Sequence, residues 1–245
     1  MSKRKIAVFV EGQTELIFVR EFLLRWFQYD DFRLGFECNN LLEDELRYSP
    51  YGFGSEDSEN YYLIVNVGND SSVLSKIGSR LNQMVKQNYL FVIGLRDMYC
   101  KSYVKESQRQ IDENLNQKYI QATQEVINDM ANGHLIRFHF AIMEIEAWLL
   151  GMQDLFLSLD DKLTVEYIKN QLGIDLSKDP EATLFHPAKD LGLIYSEVGK
   201  TYDKHETDIC SIMSKLTPEN FLTLVYSGKC ATFKAFAESL LGESF

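Results

Sequence analysis

The feature that most constrains this chain is a buried strand followed at once by a tight turn and an amphipathic helix, in residues 5–23. Ile6 to Val10 is a short apolar run, typical of a strand covered on both faces in a parallel sheet. Gly12 permits the turn, and the apolar residues after it follow a helical period. Because ligand sites of open α/β sheets lie beyond the carboxyl ends of the strands, Glu11 is predicted at such a site, with Glu15 in the first helical turn.

The same pattern of a buried strand that ends in polar residues recurs further along the chain. Tyr61 to Val67 is predicted to be a strand, and Asn69 and Asp70 after it are interpreted as caps of the next helix. Tyr89 to Leu95 is a third buried strand, and Asp97 follows it. Carboxylates therefore stand at the ends of two predicted strands.

A fourth strand is predicted from Leu135 to Met143, and two glutamates follow it, Glu144 and Glu146. If the strand continues to Glu146, both carboxylates point to one face, because side chains in a strand repeat every second residue. If a helix begins at Glu144, they point apart. As an alternative to a functional role, the pair is a set of acidic residues at a helix N-terminus.

Strands alternating with helices predict an α/β protein with a mostly parallel sheet flanked by helices and a helical C-terminal part. We assign residues 1–150 to the α/β domain and residues 151–245 to a helical subdomain. Within the first, residues 29–60 are predicted to be an insertion or irregular loop that could contain a β-hairpin.

Composition restricts the class of protein. The net charge is −11 and the pI about 4.9, which argues against a protein that coats nucleic acid through a basic surface. No segment is long enough to span a bilayer, and no signal peptide is evident, so we expect a cytoplasmic protein that does not interact with membranes. The cysteines show no CxxC pair and indicate neither a zinc knuckle nor a disulfide framework.

The stretch VEGQTE resembles the first motif of Toprim domains, in which the opening strand ends in a glutamate followed by glycine. In Toprim nucleases of the OLD family, a second acidic residue four positions on also serves the metals, and Glu15 stands there relative to Glu11. Toprim domains carry a DxD pair after their third strand, which resembles Asp97 here. Tyr99 stands in place of the second aspartate.

A group of small bacterial Toprim-like proteins, often encoded near ABC-type ATPases, is similar in having one aspartate followed by an aromatic residue at this point. The phrase HFAIMEIEAWLLG and the motif HPAK also resemble stretches of that group. OLD-type nucleases use a lysine near the metals, and the resemblance implies that Lys189 has this role. The alternative for Lys189 is a solvated residue in the first turn of a helix.

Carboxylates crowded at the strand ends would repel one another unless a cation neutralised them, and oxygen ligands select Mg²⁺ or Mn²⁺. The resemblance implies that Glu11 and Asp97 are direct ligands and that Lys189 stabilises charge on a phosphate. Second-metal or water-mediated ligands would be Glu15, Glu144 and Glu146.

Two functions follow from these residues. The first is a metal-dependent Toprim-type nuclease that hydrolyses phosphodiesters of DNA or RNA, as the effector of a bacterial anti-phage system acting with an ABC-type ATPase. The second is a catalytically degraded Toprim-like module that binds an ATPase partner or nucleic acid, and the missing second aspartate at Tyr99 favours it. The chain could also form an oligomer. A topoisomerase or primase role is disfavoured, because the chain lacks room for the accompanying domains.

Overall fold

The computed structural model describes residues 3–68 and 72–245, so the predicted caps Asn69 and Asp70 lie outside the described residues. Its strands are β1 (Arg4–Val10), β2 (Leu34–Leu42), β3 (Glu45–Phe53), β4 (Asn60–Asn66), β5 (Phe91–Asp97) and β6 (Ile136–Ala141). Its first helices are α1 (Gln13–Trp26), α2 (Val73–Lys86), α3 (Lys101–Glu106) and α4 (Glu113–Asn128). The remaining helices are α5 (Glu146–Gly151), α6 (Asp154–Leu157), α7 (Val165–Leu172), α8 (Pro180–Thr183), α9 (Pro187–Ser196), α10 (Glu206–Met213), α11 (Pro218–Tyr226) and α12 (Ala231–Leu241).

The six strands form one sheet in the order β3-β2-β4-β1-β5-β6. Strand β1 pairs in parallel with β4 on one side and β5 on the other, and β2 pairs in parallel with β4. Strands β2 and β3 run antiparallel, as a hairpin at the sheet edge. The predicted α/β class, with a mostly parallel sheet flanked by helices, is confirmed.

Residues 29–60, predicted to be an insertion or irregular loop that could contain a β-hairpin, do contain one, formed by β2 and β3. Strand β3 lies at the sheet edge and its residues are mostly exposed, so it lacks the apolar run that marks a buried strand. The rings of Phe36 and Phe53 pack across the hairpin with centroids 6.0 Å apart. Cross-strand aromatic contact of this kind stabilises a pair of strands that composition alone does not reveal.

Chain contacts divide the protein into two compact units. The first contains residues 1–96 and 117–140 and holds almost the whole sheet, with α1 packed on β2 and β4 and α2 packed on β1. The second contains residues 97–116 and 141–245 and is helical beyond residue 145. The predicted boundary between residues 150 and 151 stays a prediction.

The two alternatives for Glu144 and Glu146 are both replaced by a third arrangement. Strand β6 ends at Ala141, and α5 begins only at Glu146. Between them the chain turns, and Met143 adopts a left-handed backbone conformation with φ of 65°. Such a backbone is rare for a residue with a side chain, so the turn is held by its surroundings.

No helix among residues 3–68 and 72–245 is both long and apolar enough to cross a membrane.

Gly94 in β5 provides a test of the packing that holds this strand. A Cβ atom at Gly94 would lie 2.5 Å from Cδ2 of Phe138 and 2.9 Å from Cδ1 of Ile77. We therefore expect Gly94→Ala to lower the free energy of unfolding by about 1–3 kcal/mol, the usual cost of overpacking a core, as measured by urea denaturation. Gly192→Ala is the matched control, because its Cβ would meet only the Tyr202 carbonyl oxygen at 3.6 Å. A Gly94→Ala protein as stable as the control would contradict this packing.

Candidate metal centre

Three carboxylates converge in the second unit. Asp97, Glu144 and Glu146 each offer one oxygen, and these three oxygens all lie within 4.8 Å of one another. The side chain of Glu146 is fully buried, Asp97 is 7% exposed, and Glu144 is half-buried. We refer to these three residues as the acidic triad. Buried carboxylates so close together need a positive charge or a proton nearby to be stable.

Backbone hydrogen bonds place Asp97 beside the two glutamates. Asp97 is the last residue of β5, and the next two residues pair with the last residue of β6 and with the turn after it. The Met98 N–H donates to the Ala141 carbonyl at 2.9 Å, and the Tyr99 N–H donates to the Met143 carbonyl at 2.8 Å. The chain segment that carries Asp97 and the segment that carries the two glutamates are therefore hydrogen-bonded to each other next to these carboxylates.

The turn before α5 also uses Asp97. The Ile145 N–H donates to Asp97 Oδ1 at 3.1 Å, so Asp97 satisfies a backbone donor at the start of the helix that carries Glu146. Free N–H groups at a helix start attract anions, which makes this a stabilising contact. Asp97 thus accepts a hydrogen bond from the N-cap residue of α5.

A lysine and a tyrosine from residues 197–205, the loop between α9 and α10, reach the triad. The Lys204 ammonium lies 2.6 Å from Glu144 Oε1 and 3.2 Å from Glu146 Oε1. The Tyr202 hydroxyl donates to Glu146 Oε1 at 2.6 Å. Lys204 itself has a left-handed backbone with φ of 58°. One ammonium thus faces three carboxylates, which leaves the group with excess negative charge when all three are ionised.

Burial and charge act in opposite directions on the ionisation of this group. Burial raises the pKa of the Glu146 carboxyl above its ordinary value, and the Lys204 ammonium opposes that shift. Burial of Lys204 would lower its pKa, but attraction to the three carboxylates outweighs burial and raises that pKa above the ordinary value. The ammonium form of Lys204 is therefore favoured, and this ammonium is the cation that lies beside the buried Glu146.

The HPAK motif contributes a backbone donor through α9. Pro187 is the first residue of this helix, where the missing proline N–H has no cost, and the Ala188 N–H donates to Glu144 Oε2 at 3.2 Å. The positive end of the helix dipole therefore stabilises the Glu144 carboxylate. Lys189 is exposed in the same turn. The lysine that forms ion pairs with the triad is Lys204, whereas the role of Lys189 stays a prediction.

The Trp-Leu-Leu stretch of the predicted motif anchors α5 in the C-terminal helices. Trp148 is fully buried, and its Nε1–H donates to Glu181 Oε1 at 2.8 Å and to Thr232 Oγ1 at 3.0 Å. Its ring packs against Phe233 and Phe236, with centroids 5.4 and 5.5 Å away. Because Trp148 lies only two residues after Glu146 in α5, these contacts also hold the backbone of Glu146 in place.

The other two predicted metal ligands lie in the first unit. Glu11 directly follows β1, at the turn into α1 as predicted, and Glu15 is the third residue of α1 and is 5% exposed. Their assignment as ligands stays a prediction. Sequence reasoning missed Tyr202 and Lys204, because they come from a polar loop between helices that has no periodic pattern and no recognisable motif.

The residues of the triad fit a hard divalent cation. All three side chains are carboxylates, the donors that Mg²⁺ and Mn²⁺ prefer. Oε2 of the fully buried Glu146 has no hydrogen-bond partner among the described residues, and such an atom is costly unless something binds it. The centre could therefore hold a metal ion, whose identity the geometry does not select.

No protein-family model, curated protein or solved structure matches the chain. The resemblance to Toprim proteins stays a prediction from the motifs quoted above.

The dependence of Glu146 on Lys204 can be measured. We expect Lys204→Met to lower the free energy of unfolding in EDTA by about 3 kcal/mol, the lower end for breaking a buried ion pair. The lower end applies because the Lys204 side chain is 36% exposed and water screens part of the interaction. Glu146→Gln in the Lys204→Met background should restore much of the loss, as measured by chemical denaturation.

Lys169→Met is the matched control for that experiment. Lys169 forms an ion pair with Asp175 at 2.8 Å, but its side chain is 55% exposed, so its loss should cost less than about 1 kcal/mol. Equal losses for the two lysine variants would contradict the role of Lys204.

Proposed function

We propose that the chain is a metal-dependent nuclease that hydrolyses nucleic-acid phosphodiesters with Mg²⁺ or Mn²⁺ held by Asp97, Glu144 and Glu146. The observation that supports this function is the convergence of three carboxylate oxygens within 4.8 Å in a largely buried place. A divalent ion in such a site polarises a phosphodiester, lowers the pKa of water and stabilises the leaving oxygen.

The chain's own residues would have separate tasks in this reaction. The three carboxylates would hold the cation, and the Ile145 and Ala188 N–H groups would keep Asp97 and Glu144 oriented toward it. The Lys204 ammonium would be the nearest protein charge available to the phosphate oxygens once a metal takes over neutralisation of the carboxylates. Lys189, exposed on α9, remains the second candidate for that task.

A second function is favoured by a specific observation, the ion pairs of Lys204 with Glu144 and Glu146. In this alternative the ammonium replaces the metal permanently, and the triad is a structural junction in a module that binds an ATPase partner or nucleic acid. The ABC-type ATPase and the role in anti-phage defence are proposals that rest on the resemblance for either function.

Thermal melts with Mn²⁺ separate the two functions without a substrate. For a metal centre we expect millimolar Mn²⁺ to raise the melting temperature of the wild type, because a ligand of the native state stabilises it by about 2.7 kcal/mol at 100 times its Kd. Asp97→Asn should melt higher than the wild type in EDTA, since carboxylates about 4 Å apart repel by roughly 1–4 kcal/mol, and should lose most of the Mn²⁺ response.

The control for the melts is Glu166→Gln, which removes an exposed carboxylate in the first turn of α7 and should leave the Mn²⁺ response unchanged. Ca²⁺ and matched NaCl control for hard-cation binding and for screening. A wild-type curve that Mn²⁺ does not move would rule out the metal centre and leave the structural junction.

Nuclease activity itself is tested with plasmid DNA and total RNA in Mn²⁺, Mg²⁺ or EDTA, with and without an ABC-type ATPase of the kind that the resemblance implies as a partner. We expect Glu146→Gln and Asp97→Asn to lose at least about 100-fold of the activity, since losing even a group that supports a metal ligand costs roughly 10- to 100-fold. Glu11→Gln should also abolish cleavage if it is a ligand as the motif predicts. Circular dichroism checks that each variant is folded, and full activity in Asp97→Asn would refute the proposal.

A further inference from the structure

Three aromatic rings form a cluster in the second unit. Tyr99 lies 5.7 Å from Phe185 and 5.5 Å from His186, measured between ring centroids, and Phe185 lies 4.7 Å from His186. All three pairs are edge-to-face, and all three side chains are partly exposed. We refer to these three residues as the aromatic cluster. Edge-to-face packing fixes the rings, and their partial exposure leaves ring surface available to a ligand.

Two chain segments connect the aromatic cluster with the acidic triad. Tyr99 comes two residues after Asp97, and its N–H donates to the carbonyl of Met143, the residue before Glu144. On the other side, His186 comes two residues before Ala188, whose N–H donates to Glu144 Oε2. The two chain segments that carry the rings are thus the segments that carry Asp97 and bind Glu144.

We propose that the aromatic cluster stacks an unpaired nucleobase, so that the substrate is single-stranded nucleic acid or an unpaired segment of a folded one. This inference rests on the proposed function, because it places the phosphodiester at the triad. In a nucleotide chain every phosphate has a base close by, and a base beside the triad would meet Tyr99, Phe185 and His186. Stacking on aromatic rings is the usual means by which proteins hold unpaired bases, and it tolerates any base.

A duplex does not suit this arrangement. Its base faces are covered by neighbouring base pairs, so a ring cluster reaches them only after a nucleotide leaves the stack. Tyr99 thus has a task at the position where the Toprim motif has its second aspartate.

The test is the binding of short labelled oligonucleotides at low salt, measured by fluorescence anisotropy in Ca²⁺ and separately in EDTA. The arms are single-stranded DNA, single-stranded RNA of the same sequence, and the DNA duplex. We expect the single strands to bind about tenfold more tightly than the duplex, and Tyr99→Leu or Phe185→Leu to reduce their affinity to the level of the duplex. Comparison of the two single-stranded arms identifies the sugar.

Two controls isolate the rings. Tyr99→Phe keeps the ring and should bind as the wild type does, whereas leucine keeps apolar volume without a flat face. Tyr226→Leu removes a tyrosine that is 68% exposed on α11 and should have no effect. Equal binding of single strands and duplex, no binding of any arm, or unchanged binding by both leucine variants would overturn the inference. Because this readout needs neither Mn²⁺ nor cleavage, it fails separately from the nuclease proposal, which the Mn²⁺ melts decide.

Discussion

A carboxylate that is fully removed from water needs a compensating charge, and the second unit of this protein is arranged around that requirement at Glu146. The ammonium of Lys204 and the hydroxyl of Tyr202 both contact the same oxygen of Glu146. To bring them there, a loop adopts a left-handed backbone at Lys204, and to present Glu146 the chain adopts another at Met143. A left-handed backbone is unfavourable for a residue with a side chain, so the contacts of Glu146 and Lys204 offset part of the cost of the two turns.

The fold was predictable to the extent that its signals are local. The buried strands β1, β4, β5 and β6 are recognisable from their apolar composition. Asp97 and Glu144 were selected as candidate site residues because ligand sites of such sheets lie beyond the strand ends. Strand β3 escaped the same reasoning because an edge strand exposes most of its residues, and its stability comes from pairing with β2. Pairing partners distant in sequence leave no local pattern.

The site was predictable only in part for the same reason. The carboxylates that share a motif, Glu144 and Glu146, were recognised together, although neither a continued strand nor an early helix describes how they converge. Lys204 is separated from them by about sixty residues and belongs to a polar loop, where a lysine is normally just solvated. Its role depends on where the loop passes in the folded chain, which periodicity does not encode.

The separation of 60 positions between Glu144 and Lys204 also has a consequence for synthesis of the protein. A ribosome delivers the carboxylates first and their cation much later, after α6 to α9 have been made. Until then the nascent chain lacks the Lys204 ammonium that pairs with Glu146. It also lacks α12, the helix that packs on Trp148. The acidic triad and Lys204 therefore come together only after residue 204 has been made, and the packing on Trp148 forms later still, when α12 follows.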